Sequence, residues 1–214
     1  MTEFNELNSV ERFFIYELTG INLNEDRESV KSSPPFGYGK YWKYVPGGLL
    51  KREITKVLLE KDLKESLCRL NPDIERNPEN ADEVIRKLRA ILITVGNVGL
   101  VRANEEFVRW LRNEHSMPFG HRGEHVQIKL IDYDNLKNNS YILSNQFRIH
   151  VRESKIPDLV LFINGIPVVV GELKSPVRPA VSWYDGAYEI HDIYENAVPG
   201  LFVPNILSFA SEGK

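Results

Sequence analysis

The stretch IPDLVLFINGIPVVVGELKSP, residues 156–176, is the most apolar part of the chain and the feature that most constrains its fold. Its two runs LVLFI and PVVV are almost continuously apolar, as strands covered on both faces usually are. The pair Asn164-Gly165 between them is a strong signal for a tight hairpin turn. The pattern predicts a hairpin of central strands in a sheet sandwiched by helices.

Three ionisable residues stand at the open end of this hairpin: Asp158, Glu172 and Lys174. A buried charge requires compensation, by a partner or by a metal ion. Two carboxylates on a rigid strand pair suit a hard cation such as Mg²⁺, with the backbone carbonyl of Leu173 as a third ligand. Glu172 and Lys174 are two residues apart, so their side chains project to the same face. Taken alone, a Glu-x-Lys pair at a strand end is more often a solvated ion pair.

The geometry of the turn decides whether Asp158 and Glu172 can bind the same metal ion. A symmetric two-residue turn pairs Asp158 with Gly171, and this would place Asp158 and Glu172 on opposite faces. Both acids reach one ion only if the hairpin has a three-residue loop or a β-bulge. We therefore predict such an irregularity. Regular pairing throughout would exclude a shared metal ion.

The first half of the chain is predicted to be helical. Residues 2–19 carry an apolar stripe of helical spacing that Gly20 ends, and Glu11 falls inside that stripe. This position indicates a buried carboxylate with a role, or one paired with a neighbour such as Arg12. Further helices are predicted over residues 50–70, 81–94 and 103–114. The polar stretch 24–48 is predicted as a loop held by its aromatic residues, with a nucleic-acid surface as the alternative.

The second half alternates polar and apolar residues in EHVQIKLIDY and NSYILSNQFRIHV, as half-buried strands do. A helix is predicted in SWYDGAYEIHDIYENA, and a final strand in NILSFA. This order predicts an α/β fold with a mixed sheet flanked by helices. We expect one domain over residues 1–214, in which 24–114 form a largely loop and helical insertion and 123–214 form the core.

Composition limits the function. The net charge is −3, whereas a chain that binds nucleic acid tightly by itself is usually basic. No apolar run reaches the roughly 18 residues that span a bilayer, and the polar N-terminus is not a secretory signal. The single cysteine, Cys68, suits a reducing cytoplasm and argues against a structural zinc site. The histidines show no ligand spacing; they are His115, His121, His125, His150 and His191.

Pro157-Asp158 followed by Glu172-Leu173-Lys174 resembles the PD-(D/E)xK nuclease motif. The surrounding segments LIDYDNLKNNSYILSNQFRIHV, AYEIHDIYENAVPGLF and REITKVLLEKDLKESLCRLNP resemble the N-terminal nuclease domain of the R (restriction) subunit of type I restriction–modification enzymes. The resemblance runs from about Val10 to the end of the chain. It implies a restriction-endonuclease-like core and an endonuclease that hydrolyses unmodified foreign DNA in a prokaryotic cytoplasm.

The resemblance also implies roles for individual residues. Asp158 and Glu172 would bind Mg²⁺, for which Mn²⁺ substitutes, and Lys174 would position or activate the attacking water. Glu11 matches an acidic residue that this fold often carries on its first helix near the metal. The family places a QxxxY motif on the helix after the lysine.

Tyr194 matches the tyrosine of that motif, but Ile190 stands at the glutamine position. If the match to the motif is shifted by one residue, Glu189 or His191 stands at the glutamine position instead. A site role and core packing both remain open for Tyr194. On the strand before the hairpin, Arg148 and Arg152 alternate with apolar residues, and a solvated face is favoured over contact with DNA phosphates.

The implied partners are double-stranded DNA and the specificity and methyltransferase subunits of a restriction complex, with no membrane. ATP would serve only a motor region, and the chain contains no GxxxxGK[ST] pattern, so we expect that the chain is truncated from a larger, motor-containing protein. Two alternatives remain. One is a stand-alone repair or junction nuclease of the same fold, and the other is a catalytically impaired scaffold for subunit docking, which Ile190 motivates.

Overall fold

The computed structural model describes residues 10–23, 42–151, 153–175, 177 and 181–213. Its α-helices are α1 Arg12–Thr19, α2 Glu60–Leu70, α3 Pro72–Arg76, α4 Glu79–Val98, α5 Leu100–Leu111, α6 Trp183–Tyr188 and α7 Glu195–Ala197, with a π-helical segment Glu189–Tyr194 between the last two. Its strands are β1 Trp42–Tyr44, β2 Ser116–Met117, β3 Val126–Gln127, β4 Tyr141–Asn145, β5 Ile149–His150, β6 Ser154–Lys155, β7 Leu159–Ile163, β8 Ile166–Leu173 and β9 Leu207–Ser211.

Five strands form one mixed sheet in the order β1-β4-β7-β8-β9. The β4, β7 and β8 strands are antiparallel, whereas β1 and β9 add in parallel at the two edges. The predicted α/β architecture with a mixed sheet is therefore confirmed, and β7 and β8 are interior strands as the apolar runs predict.

The two faces of the sheet pack on different helices. Val160, Phe162 and Val170 face the segment after α6, where they share a core with Ile190 and Tyr194. On the other face, Ile15 of α1 and Val10 just before that helix pack on residues of the three interior strands; these are Leu143, Leu159, Leu161 and Leu173. A third core holds α2, α4 and α5 together beside the hairpin turn. The side chains of alternate residues thus line opposite cores.

The hairpin turn is a regular two-residue turn that docks onto α2. Asn164 and Gly165 both have positive φ, 52° and 80°, the combination that a type I′ turn requires. A side-chain carbon added at Gly165 would lie 2.5 Å from the carbonyl oxygen of Leu59 and 2.7 Å from the backbone nitrogen of Leu63. The Leu59 N–H also donates to the Gly165 carbonyl at 2.9 Å. Glycine is required here for both conformation and space.

Most predicted helices are confirmed, with shifted ends, but residues 50–59 are not helical. Val57, Leu58 and Leu59 are all buried, and Leu58 belongs to the helical core while its two neighbours belong to the sheet core. An extended segment sends neighbouring side chains in opposite directions, which a helix face does not do. The prediction of a helix over 50–70 was therefore wrong before Glu60.

The stretch 24–48 was predicted as a loop, and its end is not one. Trp42–Tyr44 form β1, which pairs in parallel with β4, and a short 3₁₀ turn follows at Gly47–Leu49. The remainder of the prediction, residues 24–41, lies outside the described part of the chain, as do residues 2–9 of the first predicted helix. Where α1 is described it ends at Thr19, and Gly20 follows with φ 76°, as predicted.

Candidate active site

A β-bulge brings Asp158 and Glu172 to the same face of the sheet. Next to the turn, Ile163 pairs with Ile166 and Phe162 with Pro167, but the register then shifts so that Leu161 pairs with Val169. Val168 is the extra residue. One step beyond the pair Leu159–Gly171, the register sets Asp158 opposite Glu172. The predicted irregularity is confirmed, and it lies within β8 and not in the turn.

The two acids have different partners. Asp158 accepts a hydrogen bond from the backbone N–H of Leu173 at 2.8 Å and another from the side-chain amide of Gln146 at 3.0 Å. Oε1 of Glu172 accepts from Lys174 at 2.9 Å. Oε2 of Glu172 is buried and accepts no hydrogen bond from a donor within the described residues. One oxygen of the Glu172 carboxylate is therefore buried without a hydrogen-bond donor among the described residues.

Lys174 lies between two glutamates. Its Nζ donates to Oε1 of Glu172 and, at 2.5 Å, to Oε2 of Glu189. Oε1 of Glu189 in turn accepts from the Tyr194 hydroxyl at 3.1 Å. Burial lowers the pKa of Lys174, but its hydrogen bonds to Glu189 and Glu172 and their charges outweigh burial and raise the pKa above the ordinary lysine value. The lysine is thus held as a cation.

The π-helical segment explains how Glu189 reaches this position. The backbone hydrogen bonds of a π-helix join residues five apart, so Glu189 and Tyr194 lie about one turn apart and their side chains meet. Ile190 turns into the sheet core at 4% exposure. If the match to the QxxxY motif is shifted by one residue, Glu189 or His191 takes the glutamine position. Of these two residues, Glu189 contacts Tyr194. His191 instead lies at the surface beside Glu195.

Glu11 lies at the same end of the sheet, joined to Asp158 through an amide. Its Oε1 accepts from Asn145 at 2.5 Å, and its Oε2 accepts from Gln146 at 3.1 Å. Tyr44 donates to the side-chain oxygen of Asn145 at 2.8 Å, which fixes the orientation of that amide. The apolar stripe correctly placed Glu11 as a buried carboxylate, at 2% exposure.

Burial makes these carboxyls weak acids. It raises the pKa of Glu172 from 4.5 to about 8, with a further contribution from the charge of Asp158 and opposition from Lys174. Burial raises the pKa of Glu11 to about 7, opposed by the hydrogen bond from Asn145 and assisted by the charge of Asp158. Burial also raises the pKa of Asp158, against the hydrogen bond from Leu173. Negative charge is crowded here, a condition that a cation relieves.

The donor set fits a hard divalent cation. Two carboxylates and the Leu173 carbonyl are oxygen ligands of the kind that Mg²⁺ and Mn²⁺ prefer, and no donor in the described part of the chain reaches Oε2 of Glu172. Across the described ranges, no group of three or more His, Cys, Asp or Glu side chains is placed to hold a metal ion. The predicted ligand set needs only two side chains, so it does not depend on such a cluster.

The remaining candidates lie away from the site or outside the described residues. The side chain of Arg148 is exposed, and Arg152 falls outside the described ranges. His115 stacks on Trp110, with ring centroids 4.5 Å apart, and His150 contacts Ser154. Sequence reasoning missed Asn145 and Gln146. Two consecutive amides at the end of a buried strand are a local signal, but it does not reveal that their partner is Glu11.

Together the fold and site define an α/β protein with carboxylates and a lysine gathered at the open end of a central β-hairpin. Residues 36–214 match the family model described as the type I restriction enzyme R protein N terminus. The chain belongs to this family, and the predicted family is confirmed.

Curated relatives agree with this family. The chain is 30% identical over 184 residues, 83% of its length, to the type I restriction enzyme HindI endonuclease subunit of Haemophilus influenzae. It is 32% identical over 143 residues, 64% of its length, to a protein provisionally named the type I restriction enzyme MjaIXP endonuclease subunit of Methanocaldococcus jannaschii. These matches span 17% and 14% of the two relatives. Within the described ranges, no helix is both long and apolar enough to cross a membrane.

Proposed function

We propose that this chain is a metal-dependent DNA endonuclease domain of a type I restriction enzyme, with a restriction-endonuclease-like core and a PD-(D/E)xK site. Asp158, Glu172 and Lys174 are its catalytic residues. The observation that carries the proposal is the bulge at Val168, which gives Asp158 and Glu172 a common face beside Lys174. The family and the names of the relatives support the restriction role.

Asp158, Glu172 and the carbonyl of Leu173 would hold the cation, and Glu11 and Tyr194 would support them. When bound, Mg²⁺ polarises a phosphoryl oxygen and lowers the pKa of water. Binding requires Asp158 and Glu172 to give up their protons. Lys174 is a preorganised cation that stabilises the negative charge developing on the phosphate. Its ion pairs with Glu172 and Glu189 keep it protonated, so it does not act as a base.

In this proposal the substrate is double-stranded DNA that lacks the host modification. The specificity and methyltransferase subunits and an ATP-driven motor bring the DNA to the site, which agrees with the net charge of −3. Such a complex works in the cytoplasm of a prokaryotic cell. The scaffold alternative rests on the finding that Ile190 stands at the glutamine position of the QxxxY motif. The contact between Glu189 and Tyr194 weakens this argument. Membership of the R protein family favours restriction over a stand-alone repair nuclease.

Titration calorimetry with Mn²⁺ tests the proposal on this chain. We expect the wild type to bind Mn²⁺ and Asp158→Ala to lose that binding, because the substitution removes a ligand. Asp134→Ala is the matched control, since the Asp134 side chain is 93% exposed on a surface loop and should leave binding unchanged. A wild-type chain that binds no divalent cation would favour the scaffold.

A further inference from the structure

Strand β4 ends in a kink that aims two successive side chains at one carboxylate. In a regular strand, neighbouring side chains point to opposite faces. Gln146 instead adopts a left-handed conformation with φ 50°, which is uncommon for a residue with a side chain. As a result, the amides of Asn145 and Gln146 donate to the two different oxygens of Glu11.

Gln146 also holds Asp158 at two points. Its side-chain nitrogen donates to Oδ1 of Asp158 at 3.0 Å, and its backbone N–H donates to the Asp158 carbonyl at 2.9 Å. A primary amide nitrogen carries two hydrogens, so one nitrogen serves Glu11 and Asp158 together. Because Oδ2 of Asp158 already accepts from Leu173, both oxygens of that carboxylate are fixed.

The kink is braced from outside by Gly47. A side-chain carbon at Gly47 would lie 2.5 Å from the carbonyl oxygen of Gln146 and 2.6 Å from that of Asn145. The backbone of the 3₁₀ turn therefore rests directly on the kinked peptide groups. A left-handed turn needs no amide side chain, since glycine adopts this conformation at lower cost. The side-chain amide of Gln146 is therefore not needed for the turn, and its hydrogen bonds go to Glu11 and Asp158.

We propose that Gln146 is a positioning residue that fixes the spacing and orientation of Glu11 and Asp158 for divalent-cation binding. The inference rests on the proposed function of the hairpin site. Glu11 and Asp158 repel one another when ionised, and the shared amide holds them in place without neutralising either. Gln146 thereby ties helix α1 to the ligands on the hairpin.

Two substitutions separate positioning from folding. Gln146→Gly removes both side-chain donors and relieves the left-handed backbone, whereas Gln146→Leu removes the donors and keeps most of the volume. We expect both variants to bind Mn²⁺ about 10- to 100-fold more weakly than the wild type, the usual loss when an outer partner of a metal ligand is removed. Calorimetry is run at low temperature on samples that circular dichroism shows to be folded.

The matched control is Gln127→Leu, which removes the chain's other glutamine from the small β2–β3 sheet. It should bind Mn²⁺ like the wild type. Wild-type affinity in folded Gln146→Gly would overturn the inference and leave the proposed function standing. Loss of the fold in both Gln146 variants would also overturn it, because Gln146 would then be a structural residue. A wild type that binds no Mn²⁺ would overturn the inference and the proposed function together.

Discussion

Oδ2 of Asp158 accepts a hydrogen bond of 2.8 Å from the backbone N–H of Leu173, the residue between Glu172 and Lys174. The acid that precedes β7 is thus fastened to the backbone of the Glu-x-Lys segment that ends β8. A backbone donor does not change rotamer, so the geometry between the first acid and the segment is set by the hairpin itself.

Glu189 is expected to hold Lys174 for catalysis. Glu189→Ala should slow DNA cleavage by roughly 10- to 100-fold, because Lys174 loses a charged partner and a small misplacement is costly at a reacting centre. Glu189→Gln should retain most activity, since its amide oxygen still accepts from Lys174. Plasmid linearisation by a restriction complex that carries the variant measures this. The control is Glu195→Ala, which breaks the pair of Glu195 with the exposed His191. Full activity of Glu189→Ala would contradict the role.

Restoring the glutamine of the QxxxY motif at position 190 should destabilise the protein. Ile190→Gln places an amide in the sheet core, where Ile190 is 4% exposed, and burial of an unpaired amide costs about 1–3 kcal/mol. We expect the free energy of unfolding in urea to fall by this amount, with no gain in cleavage. Ile206→Gln, at a residue that is 61% exposed, should be close to neutral. Higher activity at unchanged stability would show that the glutamine belongs at position 190.

The hairpin turn should tolerate no side chain at its second residue. Gly165→Ala must adopt φ 80° and also meets the backbone of Leu59 and Leu63. The left-handed conformation alone costs about 1–2 kcal/mol, and the contact adds to it. Gly48→Ala, where a side-chain carbon meets nothing within 4 Å, is the matched control. Thermal melting compares the two, and equal melting temperatures would refute the docked turn.

The metal-free chain should lose stability as the pH rises. Glu172 and Glu11 have pKa values of about 8 and about 7 in the folded chain, against 4.5 when exposed. Between these limits the folded state binds more protons than the unfolded state, so the free energy of unfolding falls with increasing pH. Each carboxyl contributes at most about 1.4 kcal/mol per pH unit. Their stabilising contribution is complete below pH 4.5 and is lost as the pH passes 7 to 8.

Urea unfolding in EDTA from pH 5 to pH 8 measures this slope. Glu172→Gln cannot titrate, so its slope should be shallower than that of the wild type. Added Mn²⁺ should restore stability most at the high end of the range, because it binds the ionised carboxylates. If the free energy of unfolding falls with pH as steeply in Glu172→Gln as in the wild type, then Glu172 does not cause the pH dependence.

The hairpin and the gathering of three ionisable residues at its open end were predictable because their signals are local. Two apolar runs around Asn164-Gly165 specify the strands and the turn, and the need for a common face predicts the bulge. The sequence does not show that the extra residue is Val168. Its neighbour Pro167 has no N–H to offer to the ladder, a property tolerated beside a bulge.

The parts that were not predictable depend on distant contacts. Residues 50–59 have helical composition, but their conformation follows from Leu59 bonding to Gly165 and from burial against two cores. The π-helical segment arises because Ile190 and Tyr194 both bury while Glu189 contacts Lys174. Likewise, the two amides at the end of β4 acquire a role only through Glu11, which caps the start of α1 and is distant in the sequence.

The bulge at Val168 also limits how the length of this hairpin can change in evolution without separating the two acids. Beyond the bulge, residues that pair across the hairpin are an even number of positions apart along the chain, and Asp158 and Glu172 are such a pair, so they share a face. Inserting or deleting one residue between them would invert one acid, whereas a matched change of one residue in each strand preserves the arrangement. Homologous hairpins that keep the site are therefore expected to lengthen or shorten in steps of two, and an odd step should accompany the loss or gain of a bulge.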